Sequence, residues 1–330
     1  MQNDKLLDLA IAVIGGGTGL PVLLRGIKRL TNNIAAIVTV ADDGGSSGRL
    51  RADFGIIPTG DLRNCLIALA ETEPIMEKLF QHRFEGSGDL AGHSVGNLLI
   101  AALINITGDA ELALKQTSKV LAVRGSVLPS ATEKVTLAAK MADGSFIEGE
   151  SKISAANKKI ERVFLKPADA PAAQSAVETI LAADICILGP GSLYTSVMPN
   201  LLLEGIAAAL KKTAAAKIYI CNVMTQPGET EGYNAYDHVK AIFDHVGSGM
   251  IDYVLVNSKE IAPELKDIYA LEGARPVTAD VGAIKSLGVT VIEADLISET
   301  NLVRHDPIKL SKSIIALIND LNLERKSSKA

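Results

Sequence analysis

The chain opens with an apolar run, Ala10–Ile14, that breaks off into glycines, and the pattern predicts a short buried strand. Leu20–Leu30 follows with apolar residues at helical spacing and Pro21 in a first turn, where proline is tolerated. Ile34–Val40 is a continuous apolar run containing β-branched residues and predicts a second buried strand. Strand, glycine turn, helix, strand is how a doubly wound fold begins. The polar stretch Ala41–Thr59 reads as a loop. Asp61 is placed to cap a helix through Leu62–Glu71, and Ser94 to start one over Val95–Thr107.

The middle of the chain changes character. Val135–Met141 and Ser145–Ile153 predict strands joined by Asp143-Gly144, a hairpin signal, so that Gly125–Lys166 reads as a β-rich insertion. The α/β pattern then returns. Ile185–Leu188 predicts a strand that ends in Gly189-Pro190-Gly191, and Ile218–Cys221, Tyr253–Val256 and Val289–Ile292 predict others. Helices are expected over Ala172–Ala182, Leu201–Lys211, Ala235–Val246 and Pro307–Leu321, while Thr278–Leu302 has no clear periodicity. The expectation is a single Rossmann-like α/β domain spanning 1–330. It would have a doubly wound, mostly parallel sheet with helices on both faces, the small β-rich insertion at 125–166, and a flexible tail at 322–330.

Composition narrows the function classes. Hydrophobic residues make up 48% of the 330 and aromatics only 4%, as suits helices covering a sheet rich in Ala, Ile, Leu and Val. The net charge of −5 and the lack of a basic run argue against a nucleic-acid surface. Cys65, Cys186 and Cys221 show no metal-site spacing and read as buried free thiols in a reducing compartment, with Cys65 the one candidate for reactivity because it lies near a helix start. Met1–Leu9 lacks a signal-peptide pattern, and Leu98–Ile106 is too short to span a bilayer, so the expectation is a soluble, cytoplasmic protein without membrane contact.

Candidate chemistry sits in the loops after strands. In GGGTGL (Gly15, Gly16, Gly17, Thr18, Gly19, Leu20) glycines let backbone N–H groups approach an anion at a helix N-terminus. The spacing departs from the dinucleotide fingerprint and lacks the Lys-Ser/Thr of a P-loop, so a phosphate or carboxylate site is favoured over NAD. The alternative is a tight strand–helix turn. DDGGSSGRLR follows the second strand. Asp42 and Asp43 there suit Mg²⁺, ribose hydroxyls or acid/base work; Gly44, Gly45, Ser46 and Ser47 suit a phosphate cradle; and Arg49 and Arg51 suit pairing with it, unless the stretch is a solvated turn. In GDLRN, Asp61 reads as a cap first, with Arg63 and Asn64 turned toward the crevice. In GHSVGN, His93 is a candidate anion donor or proton relay with Asn97 one turn along. GPGSLYTS (Gly189, Pro190, Gly191, Ser192, Tyr194) repeats the logic of the first loop. NVMTQPGET begins with Asn222 and follows the next strand. In RHDP, Arg304 suits a diphosphate and Asp306 suits capping the last helix. No HExxH, clustered His/Cys or G-x-S-x-G signature is present.

Taken in order, GGGTGL, DDGGSSGRLR, GDLRN, GHSVGN, LAVRGSVLPS, GPGSLYTS, NVMTQPGET and RHDP resemble the bacterial gluconeogenesis factor (YvcK-like) family, which is related to 2-phospho-L-lactate transferase (CofD-like). The resemblance runs from about Ile11 to Leu317. Val95 and Ala131 stand where the family pattern has Phe and Thr, which bears on pocket shape. The resemblance implies a UDP-sugar ligand, notably UDP-N-acetylglucosamine, contacts from Tyr269 and Arg304, and a role in cell shape and cell-wall homeostasis on gluconeogenic carbon sources. It carries no established catalysis. A binding regulator of this kind would signal through a protein partner and can form a homo-oligomer, neither of which the sequence identifies. The other reading is a transferase moving a phosphate-bearing group from a nucleotide diphosphate donor, with Mg²⁺ on Asp42 and Asp43 and with His93 available for proton transfer. Outside that reading no metal or cofactor is called for, and no catalytic residue is assigned.

Overall fold

A computed structural model describes residues 8–298 and 303–321. The expected flexible tail at 322–330 lies outside the described residues, as does the end of the stretch without periodicity. Ten strands run β1 (Ile11–Gly15), β2 (Ile34–Val38), β3 (Ser126–Pro129), β4 (Thr136–Met141), β5 (Phe146–Glu148), β6 (Ile160–Lys166), β7 (Ile185–Leu188), β8 (Ala216–Ile220), β9 (Tyr253–Asn257) and β10 (Thr290–Ala294). Seven form one sheet in the order β10-β9-β8-β7-β1-β2-β3, every pair parallel. The strand sequences IAVIG and ICIL are buried at every position, because helices cover both faces and no position faces water. Ile14, Ile37, Leu188 and Ile220 are all fully buried along its centre.

The chain reaches β2 and β3 in one direction from β1, and β8, β9 and β10 in the other from β7. With right-handed crossovers this reversal places successive helices on opposite faces, and it opens a crevice where β1 and β7 meet. The helices are α1 (Gly19–Ile27), α2 (Gly45–Phe54), α3 (Gly60–Leu69), α4 (Pro74–Gln81), α5 (Val95–Thr107), α6 (Ala110–Val120), α7 (Glu150–Ala155), α8 (Gln174–Ala182), α9 (Met198–Leu201), α10 (Glu204–Lys212), α11 (Ala235–Val246), α12 (Pro263–Leu271), α13 (Val281–Ser286) and α14 (Pro307–Asp320). A single π-helical turn, Leu193–Val197, precedes α9. Ser94 and Asp306 cap α5 and α14 as expected, Asp306 accepting from the N–H groups of Ile308 and Lys309. No single described helix is long and apolar enough to cross a membrane.

Three expectations are corrected. Ala41–Thr59 is not all loop, since α2 lies within it. Its glycines give α2 little intrinsic helicity, and tertiary contacts supply the rest: buried Arg51 reaches the carbonyls of Asp42 and Val135, and Ser46 bonds to α5. The expected strand Ser145–Ile153 stops at Glu148 and turns into α7. Asp43, from more than a hundred residues earlier in the chain, accepts from Ser151 N–H and hydroxyl at 2.9 and 2.7 Å and satisfies that helix start. The β-rich insertion is narrower than 125–166, because Ser126–Pro129 pairs with β2 in the main sheet. Only β4, β5 and β6 form the separate antiparallel sheet, in the order β5-β4-β6.

Candidate functional site

A cleft of about 220 Å³ opens at the β1/β7 reversal. Its floor is the first glycine loop, with Gly17, Thr18 and Gly19 on one side and Pro190, Gly191, Ser192 and Ser196 on the other. Gly17 takes φ +64°, and Gly19 sits where a Cβ would be 2.6 Å from Pro190 O, so this approach of two backbones requires glycine. The N-terminus of α1 faces this floor. Thr18, its N-cap, makes no side-chain capping bond, leaving helix-start N–H groups available to an anion. Gly15 and Gly16 lie just beneath, and Leu20 is fully buried, so its side chain belongs to the core and not to the site.

The third wall comes from the loop after β8 and from residues 303–305. Gln226 ties the loops together, accepting from Asn222 Nδ2 at 3.1 Å and donating to Ser192 Oγ at 2.8 Å. Arg304 is exposed on the rim, and its guanidinium makes no hydrogen bond among the described residues. Its backbone is held in place: Ser298 N–H donates to its carbonyl, Asp306 N–H donates to Leu296 O, and the Tyr269 hydroxyl accepts from Val303 N–H at 3.1 Å. Tyr269 thus stands behind the rim, packed on a small apolar cluster with Val223, Met224 and Val303. His305 has a buried ring, and burial pushes its pKa down to about 4, so it is neutral at pH 7.

The second glycine loop does not repeat the first. Glu229, only 6% exposed, sits against the start of the π-helical turn. It accepts from the Thr195 hydroxyl at 3.1 Å and from the backbone N–H groups of Tyr194 and Thr195, and Ser154 of α7 donates to it at 3.3 Å. A carboxylate already occupies that helix start, which leaves α1 as the open one. Tyr194 is a correction as well: it is buried, with its hydroxyl 2.8 Å from that of Tyr233, and does not line the cleft.

On the β2 side a polar group lies beside the cleft but outside its lining. Asp61 does not cap α3, whose N-cap is Thr59. Its Oδ2 instead accepts from Gly17 N–H at 2.6 Å, and burial pushes its carboxyl up to about 6. Asp42 accepts from Gly44 N–H at 2.9 Å and is raised by burial. Glu150 of α7 is pushed up to about 7 by burial and by the charges of Asp42, Asp43, Glu229 and Asp61. Ser46 Oγ lies 3.0 Å from His93 Nδ1 and accepts from Asn97 Nδ2 at 3.2 Å, a buried network rather than an open site. Gly45, Ser46 and Ser47 are the first turn of α2, not a free loop. Arg49 donates to Ala91 O, Arg51 to Val135 O, and Arg63 to Ser94 Oγ and to Asn64 Oδ1, so these arginines clamp the scaffold and do not face a phosphate. Cys65 is fully buried, and burial raises its thiol, which removes the case for reactivity.

The Mg²⁺ that the transferase reading would place on Asp42 and Asp43 finds no matching set among the described residues. Both carboxylates already accept backbone bonds, and no three His, Cys, Asp or Glu side chains among the described residues come close enough to hold a metal ion. Of the candidate residues, Gly17, Thr18, Gly19, Pro190, Gly191, Ser192, Asn222 and Arg304 come together in one cleft. No motif flags Glu150, and Asp61 serves the first glycine loop and not the cap of α3, a role that depends on the position of β1.

Comparison with known proteins agrees with this architecture. The model of the 2-phospho-L-lactate transferase CofD family matches residues 11–297. The gluconeogenesis factor of Halalkalibacterium halodurans is 52% identical over 306 residues, 92% of this chain and 95% of that protein. The gluconeogenesis factor of Bacillus subtilis is 51% identical over 311 residues, 94% and 98% of the two chains. A crystal structure of a UPF0052 family protein from Bacillus halodurans superimposes with a TM-score of 0.90 at 51% identity, covering 94% of this chain and all of that one. With the family model matched along most of its length and full-length relatives at half identity, this chain belongs to the CofD family, in the branch of the gluconeogenesis factors.

Proposed function

We propose that this protein binds a nucleotide sugar of the UDP-N-acetylglucosamine type and acts as a regulator rather than through turnover. The observation that carries the reading is the uncapped N-terminus of α1 lining the same cleft as Arg304, whose guanidinium makes no hydrogen bond among the described residues. One neutral partner with N–H donors and a dipole and one cationic partner with a bidentate fork together suit a diphosphate. Asn222 and Tyr269 flank the Arg304 side, where the nucleoside would lie. The role is that of a gluconeogenesis factor, supporting cell shape and cell-wall homeostasis on gluconeogenic carbon sources. It would be exercised in the cytoplasm through a protein partner, with homo-oligomerisation compatible.

A second reading is favoured by the family model and by the carboxylates Asp42, Asp61 and Glu150 beside the phosphate loop: a transferase that moves a phosphate-bearing group from a nucleotide diphosphate donor. Calorimetric titration with UDP-N-acetylglucosamine, with NAD and GDP as comparators, followed by mass analysis of the recovered ligand, separates the two. Binding with the ligand returned intact supports the regulator. A cleaved ligand, or preference for GDP, supports the transferase. Preference for NAD overturns both.

A further inference from the structure

The glycine loop that leads into α1 is not fully open. Gly17 lines the cleft, yet its N–H donates to Asp61 Oδ2 at 2.6 Å, and the same oxygen lies 3.0 Å from where a Cβ on Gly16 would stand. A carboxylate therefore occupies a backbone donor of the loop that is otherwise best suited to a phosphate. Asp61 reaches the loop from the first turn of α3, and its Oδ2 lies against both Gly16 and Gly17. Thr18 and Gly19, which line the cleft, adjoin that amide, so a phosphate there sits one residue from the charge of Asp61, which itself stands outside the lining.

We propose that Asp61 is a built-in competitor for the anion subsite: a diphosphate binds with Asp61 neutral, so that binding draws one proton from solvent onto its carboxylate. This rests on the nucleotide-sugar reading above and adds to it the residue that sets affinity and its pH dependence. Once protonated, Asp61 keeps one oxygen as acceptor for Gly17 N–H and no longer sets a negative charge beside the bound diphosphate. Burial already brings its carboxyl to about 6, within reach of such a change near neutral pH. The groups facing it are Asp42 from the β2 loop, Arg63 and the Cys65 thiol from α3, and Glu150 from α7. From the β7 side the neighbour of the first glycine loop is Ser196, which does not titrate.

The test is calorimetric titration of the wild type and Asp61→Asn with UDP-N-acetylglucosamine between pH 5.5 and about 8, where this diphosphate diester keeps constant charge. The wild-type affinity is expected to fall by up to about tenfold per pH unit above pH 6. Asp61→Asn, which keeps the acceptor for Gly17 N–H and carries no charge, should bind about tenfold or more tightly at pH 7.5 with a flatter profile. Repeating the titration in buffers of different ionisation heat should show uptake approaching one proton per ligand for the wild type and less for the variant. Equal profiles with no proton uptake, or weaker binding by a folded Asp61→Asn, overturn the proposal. If the variant does not melt cooperatively, the wild-type proton uptake decides alone. Binding by the wild type that is flat with pH overturns this inference only, whereas no binding at any pH overturns the ligand reading and this inference with it.

Discussion

Replacing Gly19 by alanine tests whether the cleft is made as described. The new methyl group would sit 2.6 Å from Pro190 O, 2.9 Å from Pro190 C and 3.2 Å from Gly191 N, all backbone atoms that cannot swing aside. Carbon needs roughly 3.5 Å from such neighbours, so the β1 and β7 loops must part by roughly an ångström. Overpacking of this kind costs ~1–3 kcal/mol. The gain from restricting the unfolded chain offsets about 0.4–1 kcal/mol of it. A net loss of about 1–2 kcal/mol corresponds to a melting temperature lower by a few degrees. Because the same two loops floor the cleft, ligand affinity should fall by about tenfold or more. Gly282→Ala is the matched control. It lies in α13 with negative φ and nothing within 4 Å of the added carbon, so it should melt at or above the wild-type temperature and leave binding unchanged. Differential scanning calorimetry with and without UDP-N-acetylglucosamine reads both quantities. Gly19→Ala melting with the wild type and binding equally well would refute the close approach of the loops.

Three further outcomes are expected. Arg304→Ala should weaken nucleotide-sugar binding by about tenfold or more while leaving the unliganded melting temperature unchanged, because the side chain makes no hydrogen bond among the described residues; an equal ligand-induced melting shift in both proteins would remove Arg304 from the site. Glu150 has a folded pKa of about 7, above its unfolded value, so its ionisation costs stability as pH rises through that value. Glu150→Gln should therefore be the more stable protein at pH 8, with the gap closing toward pH 5, as chemical denaturation at several pH values would show; a pH-independent gap counts against the buried carboxylate. Cys65, Cys186 and Cys221 are all buried, so a thiol reagent should react only at the rate of unfolding, and rapid labelling of the native protein would contradict their burial.

Much of the fold was legible along the chain. Parallel strands buried on both faces leave continuous apolar runs, and β1, β2, β7, β8 and β9 each showed one followed by glycine or polar residues. The caps at Ser94 and Asp306 were equally readable, since a cap acts on its own neighbours. Elements stabilised from a distance were not. Nothing near α2 or α7 announces a helix, because the partners that satisfy them, at Val135 and Asp43, are remote in sequence. The same distinction divides the candidate site. Sequence alone placed glycine loops after strands and made two of them, Gly15–Leu20 and Gly189–Ser196, equal candidates for an anion, because strand, turn and helix start are local events. Only the tertiary structure decided which helix start stays open. Glu229, brought in by the loop after β8, fills the start of the turn after β7. Asp61, brought in by α3, takes one donor of the first loop. Arg49, Arg51 and Arg63 clamp the scaffold, while the Arg304 side chain at the rim makes no hydrogen bond among the described residues. A charged side chain's role is set by the polar atoms within about 3 Å of it, and for these residues those atoms come from other parts of the chain.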